Sequence, residues 1–570
     1  MGVLLQAFFF GPGQVHGVPS PADGDRTIPF WWDHLAAQAH SLRQSGFSAI
    51  WLPAPQKGAS GTFSNGYDVF DDYDLGSKDQ KGTIPTRYGS REQLERCVAM
   101  MRANGIDVYV DLVENQRDGD DGRFNFEYVD AFGRPGKGRF PKGPLDFHPN
   151  VPQDPGVFDD RFSFGRDLAP INGKPPHYVF QGLIDAGNWL TRALDIQGYR
   201  LDDVKGVSTY FMLPLLNQGA MAGKFAVAEF FDTNIPYTQS WMNAMQYRSS
   251  VFDFSLRFTL SDMCNNPGSF NMSDLDHAGM TGIDPMGSVT FVENHDTDQN
   301  FPIVQNKLLA YAYILTAEGY PCVFYRDYST DRNCFGLKPE IDRLIWIHEH
   351  LADGPTVQRW KDLGVFAFER LGGRHLLVGL NKDPNTSRSI FVQTGFPPHT
   401  QLHDFAGHET PVTTDAHSNV GINIPTNRNG DGYVCYAPPT PVVPFRINSL
   451  SVTQEYEGAS DLDIRPATSN EAVNVCRVFA EAHQTMEARL LFDASKWTPV
   501  TSIQLDILDP SGSKVASRTY HKTTVQDTPL TFEPQAKGFH TFRVQSGNTP
   551  ADDSAPAYKL RVTYRAPQTL

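Results

Sequence analysis

Short apolar runs alternate with amphipathic stretches through the first three fifths of the chain. Residues 3–9 are apolar apart from Gln6, a Gly/Pro-rich loop follows, and residues 32–45 carry apolar positions at helical spacing up to Gly46. Ser48-Ala49-Ile50-Trp51-Leu52-Pro53 has the pattern of a second buried strand. Ser90-Arg91-Glu92-Gln93 is a capping box, in which the first and last side chains satisfy N–H groups that a helix start leaves open. Leu94, Val98 and Met101 share one face behind it. Asn104-Gly105 stops that helix, and residues 106–112 form the next apolar run. After an interruption the rhythm resumes with a helix over 179–194 and strands at 198–202, 225–229, 251–254, 288–292 and 322–325. Eight buried strands, each followed by helix or loop, predict an α/β chain folded as a (β/α)8 TIM barrel.

The interruption, residues 117–168, is rich in Gly, Asp, Pro and Phe and has no periodicity. It is too long for a simple connection and predicts a small inserted domain with short strands of its own. The barrel is thus expected over 1–116 and 169–346. Beyond it the period changes to two, with strands at 365–370, 375–381, 389–394 and 433–436, which predicts an all-β sandwich over 347–437. Asn427-Arg428-Asn429-Gly430-Asp431-Gly432 superficially resembles a calcium loop but lacks the later Glu, and is expected to be a tight hairpin turn. Ala437-Pro438-Pro439-Thr440-Pro441 is a stiff linker, and residues 445–570 alternate again as a second β-sandwich.

The formal charge of −16 argues against nucleic acid as a partner, since the phosphate backbone rewards basic surfaces. With 12% aromatic residues, the acidic surface fits neutral polar ligands held by stacking, or cations. No apolar run approaches the roughly 20 residues of a membrane span. The opening run has neither a basic flank nor a cleavage site after it, so it is a strand rather than a signal peptide. The chain is therefore either intracellular or a mature secreted protein, the latter favoured, and a monomer is expected. Cys97, Cys264, Cys322, Cys334, Cys435 and Cys476 are scattered without metal spacing. Burial as small apolar residues is expected for them, with Cys322 and Cys334 the one pair considered for a bridge.

Candidate chemistry sits where strands end. Gly198-Tyr199-Arg200-Leu201-Asp202-Asp203-Val204-Lys205-Gly206 begins apolar and ends charged; Phe225-Ala226-Val227-Ala228-Glu229 ends in a carboxylate, as does Thr290-Phe291-Val292-Glu293-Asn294-His295-Asp296. One acidic strand end is ordinary. Three at the mouth of one barrel cost stability through mutual repulsion and mark a site. Paired carboxylates suit glycoside chemistry: one attacks the anomeric carbon and a protonated partner serves the leaving oxygen.

Together with Asp111-Leu112-Val113-Glu114-Asn115-Gln116, these segments resemble the four signature regions of the α-amylase family of retaining glycoside hydrolases. Residues 49–55, 66–76 and 80–83 resemble its bacterial liquefying and plant-like branch, and the likeness spans about residues 1–437. It implies Asp202 as nucleophile, Glu229 as general acid/base and Asp296 as the carboxylate that grips sugar hydroxyls. It further implies that Arg200 holds Asp202 ionised, that desolvation raises Glu229, and that His295 hydrogen-bonds a hydroxyl. Tyr67 would stack on the cleaved ring, Lys205 would donate beyond the cleavage point, and Phe230 and Phe231 would give apolar surface there. Gln116 stands where the family carries His; an amide still donates to a sugar but carries no charge. Arg326 replaces a usual Gly and is expected to narrow or recharge the cleft, whereas Glu293 for Asp is expected to be mild.

The resemblance also implies a structural calcium ion between insertion and barrel. Asn115, Asp167 and Asp160 (or Asp159) would be ligands, with the carbonyl of Gly206. The expected activity is endo hydrolysis of starch and other α-1,4-glucans. An exo-acting oligosaccharide-former or a transglycosylase is the alternative within the chemistry, and a silent glucan-binding protein the alternative outside it. For the last domain, Trp497 or Tyr456 would be the stacking residues if it binds polysaccharide; otherwise it is structural.

Overall fold

In the computed structural model, the residues described are 2–11, 17–120, 124–130, 133–159, 166–458, 472–492, 502–521, 528–546 and 558–570. Eight parallel strands close a barrel: β1 (Leu4–Gln6), β2 (Ala49–Leu52), β3 (Asp107–Leu112), β4 (Gly198–Leu201), β5 (Phe225–Ala228), β6 (Ser250–Phe252), β7 (Ser288–Phe291) and β8 (Tyr320–Phe324). Their order around the barrel follows the sequence. All eight expected apolar runs become strands because each is buried on both faces, by the barrel interior and by the outer helices. Helix α1 (Trp31–Gln44) follows β1, α2 (Arg91–Ala103) precedes β3, and α3 (Tyr178–Leu194) precedes β4. The capping box forms as expected: Ser90 accepts from Gln93 N, and Gln93 returns the bond to Ser90 N.

The chain divides into two compact units: Met1–Val18, Leu42–Trp51 and Ala226–Arg446, and then Pro19–Ser41, Leu52–Phe225 and Ile447–Leu570. In the first unit, strands between Thr356 and Ala437 form a six-stranded sheet, and Arg388–Gln393 pairs with Asn419–Ile424 in a second sheet. Val365, Leu377, Ile390, Leu402, Ile422 and Val434 close the core between them. The 427–432 segment is a tight turn, with Asn429 and Gly430 at φ +58° and +96°. It does not make a hairpin, however. The strands it joins, Asn419–Ile424 and Tyr433–Ala437, pair with different partners in different sheets. The six cysteines are unbridged, and five of them are buried.

In the second unit, the insertion joins buried ion pairs to a small aromatic cluster of Phe124, Phe126, Tyr128 and Phe147. Asp72 receives Lys142 at 2.5 Å and Arg117 at 2.7 Å, and Arg117 also holds Glu114 at 3.0 Å. The last 124 residues of the unit (447–570) form two four-stranded antiparallel sheets. Their first strand, Val452–Gly458, lies on α2: Gln454 Nε2 donates to the Glu95 carbonyl and Tyr456 Oη to Glu95 Oε2, both at 3.0 Å. Arg139 of the insertion reaches Glu457 at 2.5 Å, Leu450 N donates to the Arg102 carbonyl, and Asn104 Nδ2 to that of Gln568. Tyr456 is 1% exposed, which corrects the expectation that it stacks on a sugar: its ring is core and its hydroxyl is bound to Glu95. Trp497 lies outside the described residues. No helix among them is long and apolar enough to cross a membrane.

Candidate active site

Asp202, Glu229 and Asp296 each stand just past the C-terminal end of a barrel strand: β4, β5 and β7. In parallel barrels this end carries the loops that build a site.

Around Asp202 the geometry is set by register. Arg200 pairs with Asp111 across β4 and β3, and its Nη1 donates to Asp111 Oδ1 at 2.7 Å and also to Asp202 Oδ1. One buried guanidinium thus serves two carboxylates. Tyr67 Oη donates to the other Asp111 oxygen at 2.7 Å. Tyr67 packs on Ala54, Val69 and Val113, with the Arg200 guanidinium 5.8 Å from its ring centre. Gln116 is fully buried; its Nε2 donates to the Tyr67 carbonyl at 3.0 Å, and its amide also reaches Asp202. Asp111 was in a recognised motif but had no expected role; the signal for one is its place beside Arg200 on the adjacent strand. Burial pushes Asp111 up to about 7, against the pull of Arg200. Burial also raises Asp202, with Arg200 and Gln116 opposing. Arg200 lowers Asp202 as expected, but burial outweighs it. With one cation between two acids, Asp111 and Asp202 titrate as a coupled pair, both raised by burial and both opposed by Arg200.

Glu229 is 8% exposed at the end of β5. Phe230, the next residue, is fully buried against Tyr237 and Trp241, which corrects its expected place on the substrate side: it is core. Phe231 is 37% exposed and clusters with Phe254, Phe258 and the half-exposed Phe301. After β7, His295 is wedged among Phe8, Phe10 and Trp51, with Gln6 Nε2 2.9 Å from its Nδ1. With the amide nitrogen donating, the imidazole proton sits on Nε2, which lies 3.3 Å from Asp296 Oδ2. Glu293 is buried on Arg257 at 2.6 Å and Thr297 Oγ1 at 2.6 Å, and holds the base of this turn. Arg326 does not recharge a cleft. Its guanidinium is neutralised by Asp298, at 2.7 and 2.5 Å from the two oxygens.

Three of the residues implied for calcium come together. Asn115 Nδ2 lies 3.3 Å from Asp167 Oδ1, and a Cβ on Gly206 would fall 2.6 Å from Asn115 Oδ1, so only glycine allows this approach. The half-buried Lys205 presents its carbonyl to the N–H groups of Phe158 and Asp159 at 3.0 and 2.9 Å. Asp160 lies outside the described residues. Among those described, no three His, Cys, Asp or Glu side chains group to hold a metal. What meets here is one amide, one carboxylate and one glycine backbone, groups that own oxygens of the kind calcium prefers. Burial and the neighbouring Asp202 and Asp167 charges raise Asp203 to about 7, so a cation here would relieve repulsion.

The raised acids set a pH dependence. Asp111, Glu114 and Asp203 stand at about 7 and Asp327 at about 6, burial leading in each. Unfolded carboxylates titrate near 4, so the fold binds these protons more tightly than the unfolded chain does. Their stabilisation is complete below about pH 4 and is lost as pH rises through about 6–7. Asp72, held at about 2 by Arg117 and Lys142 against its burial, acts oppositely and loses its contribution only as pH falls toward that value. Tm is expected to be higher near pH 5 than near pH 8 in thermal melts. A Tm that climbs over that interval would contradict this account.

A closed parallel barrel with acidic residues after β4, β5 and β7 defines the scaffold of a glycoside hydrolase. Comparison with known proteins places the chain more narrowly. It is 30% identical over 360 residues to the glucan 1,4-alpha-maltohexaosidase of Bacillus sp. (strain 707), covering 54% of this chain and 68% of that one. It is 30% identical over 466 residues to the alpha-amylase of Geobacillus stearothermophilus, covering 69% and 84%. The crystal structure of a gamma-CGTase from alkalophilic Bacillus clarkii superposes with a TM-score of 0.58 at 18% identity, over 91% of this chain and 83% of that one. No family model matches the chain. The chain belongs to the α-amylase family of glycoside hydrolases.

Proposed function

We propose that this protein is an endo-acting, retaining α-1,4-glucan hydrolase that cleaves starch and maltooligosaccharides by double displacement. The observation that carries the mechanism is the pairing of Asp202 with a guanidinium it shares with Asp111, on the strand next to the one that ends in Glu229. Asp202, kept charged by Arg200, attacks the anomeric carbon while Glu229 protonates the departing glycosidic oxygen. Glu229, now a carboxylate, takes a proton from water, which releases the sugar from Asp202 with its anomeric configuration restored. Asp296 and the Nε2–H of His295 grip ring hydroxyls, and Tyr67 offers its ring face. Gln116 fixes Tyr67 and Asp202 without adding charge. Lys205 and the exposed Phe231 lie on the leaving-group side.

Product chromatography on soluble starch tests the reading. A ladder of α-anomeric oligosaccharides is expected, and absence of turnover would overturn it. An exo-acting mode is the second reading, because one relative is named for releasing maltohexaose. One dominant short product would select it.

Asn115, Asp167 and the Gly206 carbonyl would hold a calcium ion, tying the exit of the insertion to the loop after β4; bound there, the ion would supply charge neutralisation. A chelator is expected to lower Tm, and added calcium to restore it. An unchanged Tm after exhaustive chelation would remove the ion from this account.

A further inference from the structure

We propose that Arg326 and Asp298 form a positioning pair that holds the turn carrying His295 and Asp296 in its sugar-gripping geometry. The inference rests on the roles given to those two residues above. Asp296 caps the short helix Thr297–Asn300, and Asp298 lies within that helix. The Asp298 side chain is 2% exposed, and both its oxygens take Arg326 Nη1. Arg326 comes from the helical turn Tyr325–Tyr328 that follows the neighbouring strand β8. It organises its own loop as well. Its Nε donates to the Asn333 carbonyl at 3.0 Å, its carbonyl accepts from Phe335 N at 2.7 Å, and its guanidinium lies 4.8 Å from the Phe335 ring centre. One side chain therefore ties the turn after β7 to the loop after β8.

The turn is held at two points, and Asp296 lies between them. At its base, Glu293 takes Arg257 and Thr297 Oγ1, and Asn294 Oδ1 accepts from the N–H groups of Asp296 and Thr297 at 2.9 and 2.8 Å. At its far side, only the Arg326 pair crosses to another strand's loop among the hydrogen bonds of Asp298 described. Removing the guanidinium leaves a buried carboxylate without its hydrogen-bonded cation, with only the field of the nearby Lys307, and the chain escapes this cost by protonating Asp298 or swinging it outward. Burial already raises that carboxyl against the pull of Arg326 and Lys307. Either escape releases the backbone that sets Asp296.

The test compares Arg326→Ala, Arg326→Lys, Asp298→Asn and the double variant Arg326→Ala/Asp298→Asn. It measures kcat and KM on a maltooligosaccharide of defined length, well below Tm, and Tm itself. Arg326→Ala and Asp298→Asn are each expected to lower kcat/KM about ten-fold, shared between a lower kcat and a higher KM, because the grip on the hydroxyls is made in the bound complex and strengthens in the transition state. The double variant is expected to be no worse than either single one, as for two halves of one contact. Arg326→Lys should recover part of the rate, since an ammonium restores the charge but not the fork. Lys361→Ala, which breaks the exposed 2.7 Å pair with Asp276, should keep full activity. Additive losses in the double variant would overturn the proposal. So would a wild-type rate in either single variant, or an Arg326→Lys that regains Tm but no rate. Calorimetric binding of the same oligosaccharide, with Arg326→Ala in a Glu229→Gln background, gives a second arm. Weaker binding supports the pair, and unchanged binding counts against it even if no turnover is found. Absence of turnover in the unaltered protein would strike the hydrolase reading alone.

Discussion

Glu229→Gln is expected to lower kcat on starch by about 10²–10⁴-fold, the usual worth of a positioned general acid. The amide matches the carboxyl in shape, so the 8% exposed site at the end of β5 should keep its packing, and Tm should hardly move. What is lost is the proton for the departing oxygen. The loss should therefore depend on the leaving group: an aryl maltooligosaccharide, whose phenol departs without a proton, should retain far more of its rate than starch does. Wild-type turnover of starch by this variant would sink the assignment of Glu229. An equal loss on both substrates would point to damaged folding instead.

Arg200→Leu should be the most damaging single change in the barrel. It removes the one cation that Asp111 and Asp202 share, and leaves two buried acids facing each other. Breaking a buried pair in this way typically costs about 3–5 kcal/mol. The same change pushes the pair's titration upward, because Arg200 is the largest influence opposing their burial. Asp202 would then ionise only at higher pH, so the acid limb of the kcat/KM profile should move toward alkali while overall activity falls. Urea melts and a pH–rate profile check both parts. A loss of stability with an unmoved acid limb would mean that Arg200 supports the fold without tuning the nucleophile.

The barrel was legible in the sequence because burial on both faces leaves continuous apolar runs, and a run that ends in Asp or Glu betrays itself. Asp202, Glu229 and Asp296 each stand just past such a run. Contacts set by register or by distant partners left no such trace. Asp111 gains its partner only through register with Arg200, and the charge of Arg326 is cancelled by Asp298, 28 positions away in sequence. Phe230 and Phe231 are adjacent and chemically identical, yet the backbone turns one into the core and the other outward. No periodicity reports that choice at a strand end. The insertion was visible only as a break in rhythm, since ion pairs such as Lys142 with Asp72 join positions 70 residues apart.

The hold of Val452–Gly458 on α2, and of Glu457 on Arg139, changes what the proline-rich linker is for. A module on a free tether searches a volume, and its linker length sets the effective concentration at which it meets a polysaccharide. A module whose first strand is already spent on a helix and on the insertion searches nothing. For this protein, insoluble starch would meet a module held to the helix and the insertion of its own unit rather than a trailing anchor.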